Sequence, residues 1–239
     1  MKGVILAGGT GTRLSPLTNV TNKHLLPIGR QPMITHAVNK LVEAEIRDIM
    51  VITGTEHMGD MITLLGSGYD YECNFTFRVQ DRPDGIAGAL LLCESFAAND
   101  SLVVILGDNI FEDDLIGIIE KFRSHPHDSL PHCLLCLKTV SDPRRFGVPE
   151  VVNDEIVRII EKPKDPPSGY CVTGIYFYDS NVFRFIKKLQ KSDRGEYEIT
   201  DVNNMYVEQG TVSAHVMTGW WTDAGTHSSY HAANELVRG

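Results

Sequence analysis

The sequence lacks any apolar run near the ~18 residues a spanning helix needs, and its start lacks a basic region leading into an apolar segment and cleavage site. These absences argue against a membrane span and a secretory leader, and predict a cytoplasmic protein. Positive charge is also short: 22 Lys and Arg stand against 31 Asp and Glu, a formal net charge of −9. Nucleic acids and anionic membrane surfaces are polyanions that attract a basic field, so neither is an expected partner. Any phosphate handled here must be met by cations gathered locally. The 5 cysteines are few, odd in number and scattered, so no disulfide framework is indicated. Cys133 and Cys136 form a C-x-x-C inside a strand-like apolar run, where positions three apart face opposite ways and cannot share an ion. His125, His127 and His132 fall in a Pro-containing stretch without partners at defined spacing, and read as a solvated loop.

What is present is alternation. Apolar runs at residues 2–7, 48–53, 73–79 and 102–106 read as buried parallel strands, and segments of helical spacing at 33–45, 56–65 and 86–96 lie between them. Strands alternating with helices imply βαβ crossovers, hence an α/β fold with a Rossmann-like, doubly wound, mostly parallel sheet. Beyond about residue 130 the pattern turns strand-rich (132–139, 146–153, 156–161, 170–178), with helices near 180–190 and 198–209, which predicts antiparallel members. No linker of useful length and no internal repeat is visible. One fused domain over 1–239 is expected, its halves meeting near residue 115.

In such sheets ligands bind beyond the carboxyl ends of the strands. Two motifs fall there: Gly8-Gly9-Thr10-Gly11-Thr12-Arg13 after the first strand, and Gly107-Asp108-Asn109 after the fourth. Glycines let backbone N–H groups approach phosphate oxygens, and a guanidinium adds bidentate charge. The loop lacks the Gly-Lys-Ser/Thr ending of a Walker motif and has Leu14 where a dinucleotide fingerprint places its third glycine. Lys23, in Asn22-Lys23-His24-Leu25-Leu26-Pro27, is a suitable second cation. Glu161 and Lys162 close an apolar run, and strand alternation would point them to opposite faces without a salt bridge between them.

These segments, together with Gln80, Asp84-Gly85-Ile86-Ala87, residues 105–111, 146–148, 170–179, 194–201 and 220–227, resemble the sugar-1-phosphate nucleotidylyltransferase family over almost the whole chain. The resemblance implies that the half up to about 115 binds nucleotide and that residues from about 116 onward bind sugar phosphate. Gly8, Gly9, Gly11 and Arg13 match the triphosphate loop, Lys23 the phosphate-binding lysine, and Gln80 and Gly85 the residues that hold the base. Asp108 and Asp223 match the two aspartates that bind Mg²⁺. Asn109 and Tyr176 belong to the implied substrate contacts. Glu161 matches the residue on the sugar hydroxyls, with Gly147 and Val172 offering backbone groups, and Lys162 and Arg194 match the cations on the sugar phosphate.

The implied substrates are dTTP and glucose 1-phosphate and the products dTDP-glucose and pyrophosphate, for a deoxysugar route such as that to dTDP-rhamnose. A homo-oligomer is allowed. UTP is the alternative nucleotide, and a nucleotide-sugar-dependent glycosyltransferase the alternative class, although Gly107-Asp108-Asn109-Ile110 is not the D-x-D turn such enzymes usually show. Three departures from the family pattern are visible. Gly88 stands where glutamine is usual, which bears on base selectivity. Phe146 replaces a common tyrosine. The chain ends where longer relatives continue into a helical extension, so an allosteric site built from that extension is not expected in the same form.

Overall fold

Lys2–Ala7 forms strand β1 because Val4, Ile5 and Ala7 are fully buried, as a strand covered on both faces requires. The structure, a computed structural model, describes residues 1–124 and 131–238. After β1 come β2 (Pro27–Ile28), β3 (Gln31–Pro32), helix α1 (Met33–Glu43), β4 (Asp48–Thr53), α2 (Met58–Leu65) and β5 (Asn74–Val79). Then follow α3 (Gly85–Leu91), α4 (Glu94–Ala97), β6 (Leu102–Leu106), β7 (Asn109–Phe111), α5 (Ile116–Arg123), β8 (Cys133–Thr139), β9 (Gly147–Val152) and β10 (Glu155–Glu161). The chain finishes with β11 (Tyr170–Tyr178), α6 (Val182–Ile186), α7 (Ile199–Glu208), β12 (Val212–Val216), β13 (Trp221–Asp223) and α8 (His227–Arg238).

Two compact units divide these elements. The first comprises Met1–Pro83, Val104–Leu115 and Gly219–Gly239, the second Asp84–Val103 and Ile116–Thr218. The units are therefore interleaved in sequence rather than separated near residue 115.

In the first unit β1 and β4 pair in parallel, as do β4 and β5, with Ala7 opposite Thr53 and Thr53 opposite Val79. β6, which the unit boundary cuts after Val103, lies beside β1, and Gly107 N–H donates to the Leu6 carbonyl at 2.9 Å. The four strands so end at one edge, and the loops that follow them open there together. A short antiparallel ladder joins β7 to β13, with Asn109 opposite Asp223. Helix α8 seals this corner: Ala233 joins Ile28, Met33, Ile110 and Ala224 in an apolar cluster. Tyr230 OH donates to the Pro27 carbonyl at 2.6 Å, and Asn234 Oδ1 accepts from Gly29 N–H at 2.9 Å.

In the second unit β8 lies between β11, antiparallel to it, and β12, parallel to it. β9 and β10 form a separate antiparallel ladder that sets Gly147 opposite Glu161. Helix α7 grips the middle of β10 through Asn204, whose amide accepts from Ile159 N–H at 2.8 Å and donates to Ile159 C=O at 2.9 Å. The class is α/β with mixed, mostly parallel pairing and antiparallel members after residue 130, as the sequence pattern predicts.

All five cysteines are buried and free, Cys133 and Cys136 among them. His125 and His127 lie outside the described residues. His132 corrects the reading of a solvated histidine stretch: it is buried, stacked on Phe122, with Nε2 3.0 Å from Ser213 Oγ. The expected helix 86–96 breaks into α3 and α4, where Leu92 and Cys93 N–H groups turn back to Ala89 and Leu90 in tight i to i−3 bonds.

Candidate functional site

The glycine loop after β1 has glycine where neighbours approach its backbone. A side chain on Gly8 would begin 3.0 Å from Gln80 Oε1, and one on Gly11 would begin 3.0 Å from Lys23 Cβ at a φ of +67°. On Gly9 it would meet Lys23 Cε at 3.6 Å. Gly11 then starts a single 3-10 turn, Thr12–Leu14, whose buried Leu14 anchors the loop and leaves Arg13 exposed. Asn22 fixes the next turn: its Oδ1 accepts from His24 N–H at 2.9 Å and lies 2.7 Å from His24 Nδ1, while its Nδ2 donates to the Ala7 carbonyl at 3.4 Å. Lys23 is thereby tied to the end of β1. Beside this loop a cavity of about 230 Å³ opens between Gly8, Gly9, Gly54, His57, Gln80 and Arg82.

The aspartates meet because β7 and β13 pair. Asp108 immediately precedes β7, Asp223 ends β13, and Ala224 N–H donates to the Asp108 carbonyl at 2.7 Å. The position a Gly225 side chain would take lies 3.2 Å from Arg13 Nη2, 3.3 Å from Asp108 Oδ2 and 3.6 Å from Asp223 Oδ2, so a guanidinium and two carboxylates converge on one glycine. Asn109 Nδ2 donates to Asp108 Oδ1 at 3.1 Å, and its own Oδ1 accepts from Trp221 Nε1–H at 2.8 Å, which orients Asp108 from the ladder side. Among the described residues no three His, Cys, Asp or Glu side chains gather as a metal cage. Two convergent carboxylates suit Mg²⁺, which prefers oxygen, keeps waters and takes its remaining ligands from substrate phosphates.

Lys23 Nζ lies 2.5 Å from Asp108 Oδ2, and both side chains are largely buried. Burial alone would raise the Asp108 carboxyl, but the charges of Lys23 and the hydrogen bonds from Lys23 and Asn109 outweigh it and hold the group well below the usual carboxylate range. His24 moves oppositely. Burial first, and then the Lys23 charge, push its imidazole down to about 3, so it is neutral at physiological pH.

A second cluster lies wholly in the second unit. Glu161 ends β10, and its Oε2 accepts from Thr200 Oγ1 at 2.6 Å while its Oε1 lies 2.8 Å from Lys162 Nζ. The Glu161–Lys162 salt bridge corrects the expectation from strand alternation. Lys162 is past the strand end, at a φ of +46°, and the left-handed turn swings its ammonium back to its neighbour. Arg194 Nη2 lies 3.5 Å from the same Oε1. Burial would raise the Glu161 carboxyl, yet the bonds from Lys162 and Thr200, with the charges of Lys162 and Arg194, lower it. Gly147 borders this group: a side chain there would meet Thr200 Oγ1 at 3.2 Å. Gly85, at a φ of +83°, is pressed against the Tyr197 carbonyl. Val172 and Tyr176 are buried on β11, with Tyr176 stacked on Tyr178.

Most of the residues singled out from the sequence therefore gather in two places: Gly8, Gly9, Gly11, Arg13, Lys23, Gln80, Asp108, Asn109 and Asp223 in the first unit, and Gly147, Glu161, Lys162 and Arg194 in the second; Gly85, Val172 and Tyr176 also belong to the second unit, which separates Gly85 from Gln80 in the division of the chain. Asn22, Trp221, Gly225 and Thr200 were not foreseen. Only Asn22 carried a local signal, the Asx cap before a short turn.

Known proteins resemble this chain over its whole length. A glucose-1-phosphate thymidylyltransferase of Neisseria meningitidis serogroup A is 42% identical over 242 residues, covering 100% of this chain and 83% of the relative. A crystal structure of a candidate glucose-1-phosphate thymidylyltransferase from Bacillus anthracis, in complex with sucrose, superposes with a TM-score of 0.95 at 57% identity and covers 100% of this chain and 95% of that one. A UDP-glucose pyrophosphorylase complexed with UDP-glucose shares the fold, with a TM-score of 0.87 at 23% identity, over 99% of this chain and 98% of its own. The family model described as nucleotidyl transferase matches residues 2–238, and the chain belongs to that family.

Proposed function

We propose that this nucleotidyltransferase joins dTTP to glucose 1-phosphate, giving dTDP-glucose and pyrophosphate. The observation that carries the reading is the convergence of Arg13, Asp108 and Asp223 on Gly225, with Lys23 bonded to Asp108. The relatives named above supply the substrates. A phosphate oxygen of the sugar 1-phosphate attacks the α-phosphorus in line, the bond from that phosphorus to the bridging oxygen of the β-phosphate breaks, and pyrophosphate carries away the electron pair. The attacking oxygen is already anionic near neutral pH, so no protein nucleophile is needed and the protein offsets charge and aligns the two anions.

Arg13 and Lys23 hold the triphosphate over Gly8, Gly9 and Gly11, and Gln80 and Gly85 hold the base. Lys162 and Arg194 hold the sugar phosphate. Glu161, steadied by Thr200, accepts from sugar hydroxyls, with Gly147, Val172 and Tyr176 lining that side. A Mg²⁺ held by Asp108 and Asp223 would supply charge neutralisation at the α-phosphate. In the free protein Lys23 is engaged by Asp108, and with a triphosphate bound its ammonium is placed to meet a phosphate oxygen instead. No helix among the described residues is long and apolar enough to cross a membrane, and a cytoplasmic setting, where both substrates are at hand, fits the reading.

Removing one positioned charge in such a site costs on the order of 10²–10³ in rate. Lys162→Ala and Asp223→Asn should each lower kcat/KM by about that factor in a pyrophosphate-release assay. Near wild-type turnover by either variant would remove that residue from the proposed site.

A further inference from the structure

Arg194 meets the sugar phosphate in the reading above, yet one side of its guanidinium is already taken. Nε donates to Glu198 Oε1 at 3.2 Å and Nη2 to Glu198 Oε2 at 2.7 Å, a side-on bidentate pair. Glu198 is itself held fast. Its side chain is 13% exposed, and Oε1 also accepts from Ser192 Oγ–H at 2.6 Å. Ser192 Oγ accepts in turn from Arg194 N–H at 3.3 Å. The turn closes through Gly195 N–H to Ser192 C=O at 2.8 Å and Ser192 N–H to Glu196 C=O at 2.9 Å.

A guanidinium has five N–H donors, and Glu198 takes two of them. Nη1 makes no hydrogen bond among the described residues, and Nη2 lies 3.5 Å from Glu161 Oε1 and 4.0 Å from Glu196 Oε2, ion-paired with both but hydrogen-bonded to neither. The Nη1/Nη2 edge is thus left with two or three donors in one plane, the arrangement that binds a phosphate through two oxygens. Arg194 is 46% exposed; without a brace it would have to be immobilised when its ligand arrives, at an entropic cost to affinity. We propose that Glu198, oriented by Ser192, is a positioning residue that presents this edge of Arg194 to the phosphate of the sugar 1-phosphate. The inference rests on the substrate reading above and adds to it the residues that preorganise the phosphate clamp.

The test is a double-mutant cycle on the full chain with Mg²⁺: Arg194→Ala, Glu198→Ala and both together, measuring KM for glucose 1-phosphate, KM for dTTP, kcat and Tm. Glu198→Ala should raise KM for the sugar phosphate about tenfold, as loss of alignment does, and leave KM for dTTP within about twofold. The double variant should bind the sugar phosphate no worse than Arg194→Ala, because the brace has nothing left to hold. Ser192→Ala, a smaller change, should raise the same KM in the same direction even if Glu198→Ala folds poorly. Additive effects of the two substitutions, or a Glu198→Ala loss shared equally by both substrates with a fall in Tm, would make Glu198 a structural residue and overturn the proposal. An unchanged sugar-phosphate KM in Arg194→Ala would also overturn it, by removing the phosphate from Arg194. The substrate reading stands or falls separately, on whether the wild type releases pyrophosphate from dTTP and glucose 1-phosphate.

Discussion

Lys23 and His24 are adjacent in sequence and opposite in electrostatic role. Lys23 spends its charge on Asp108 Oδ2 at 2.5 Å, where a divalent ion would also bind. In the protein without nucleotide the two cations compete, so Lys23→Met should bind Mn²⁺ alone more tightly than the wild type while losing turnover. Titration of free Mn²⁺ by its paramagnetic resonance signal checks this; weaker Mn²⁺ binding by the variant would show that Lys23 supports the carboxylate site instead of occupying it. His24 is buried as the neutral base, with a folded-state value of about 3 against an ordinary one near 6.5. A depressed value means that its contribution to stability is present above about 6.5 and is lost as pH falls from there toward 3, with a slope approaching 1.4 kcal/mol per pH unit. Urea unfolding with EDTA between pH 7 and 4 should therefore show a shallower decline for His24→Gln than for the wild type. Parallel declines would mean that His24 takes up its proton without unfolding the chain. Arg13, Lys23 and Asp108 could be singled out in the sequence because each sits in a short motif. The Glu161–Lys162 salt bridge could not be, because it depends on a backbone φ of +46° at Lys162 that no residue type announces.

At the scale of elements, legibility followed burial. β1, β4 and β6 are mostly buried apolar residues, and β11 is buried at every position after Tyr170; all four are plain in the sequence. β13 is only three half-buried residues, and β12 offers a short VSAHV alternation that is nowhere fully buried, so the strand signal is absent in one and weak in the other. Helix α8 fully buries only Ala233, with Tyr230 and Val237 half-buried beside it, a thin apolar stripe whose docking is completed by the hydrogen bonds of Tyr230 and Asn234. Nothing local could show that β13 pairs with β7 and so brings Asp223 beside Asp108. The grip of α7 on β10 is likewise a tertiary fact, made by the Asn204 amide within the strand and by Thr200 at its end. Asn204→Leu deletes both of its bonds to Ile159 and leaves that peptide group unpaired, a loss of about 1–3 kcal/mol. Since β10 carries Glu161 at its end, the same variant should raise KM for the sugar phosphate more than KM for dTTP. Chemical denaturation and steady-state kinetics check the two effects, and an unchanged denaturation midpoint would show that β10 is held without the Asn204 amide.

On the scale of the whole molecule, the chain builds two compact units by crossing between them, so residues 84–103 belong with the second and 219–239 return to the first. A reading along the sequence places its boundary where the pattern of elements changes, near 115, and has no means of seeing the return of the last segment. That return carries Asp223 and Gly225, without which the first unit would hold only one of the two convergent carboxylates. The net charge of −9 is offset at both clusters by cations set against carboxylates: Lys23 on Asp108, Lys162 on Glu161, Arg194 on Glu198. The most direct test of the central claim is pyrophosphate release from glucose 1-phosphate and Mg²⁺ with dTTP, UTP, CTP, ATP and GTP in parallel. The account predicts strong release with dTTP, a preference for UTP would keep the reaction and change the nucleotide, and the absence of pyrophosphate with all five would contradict it.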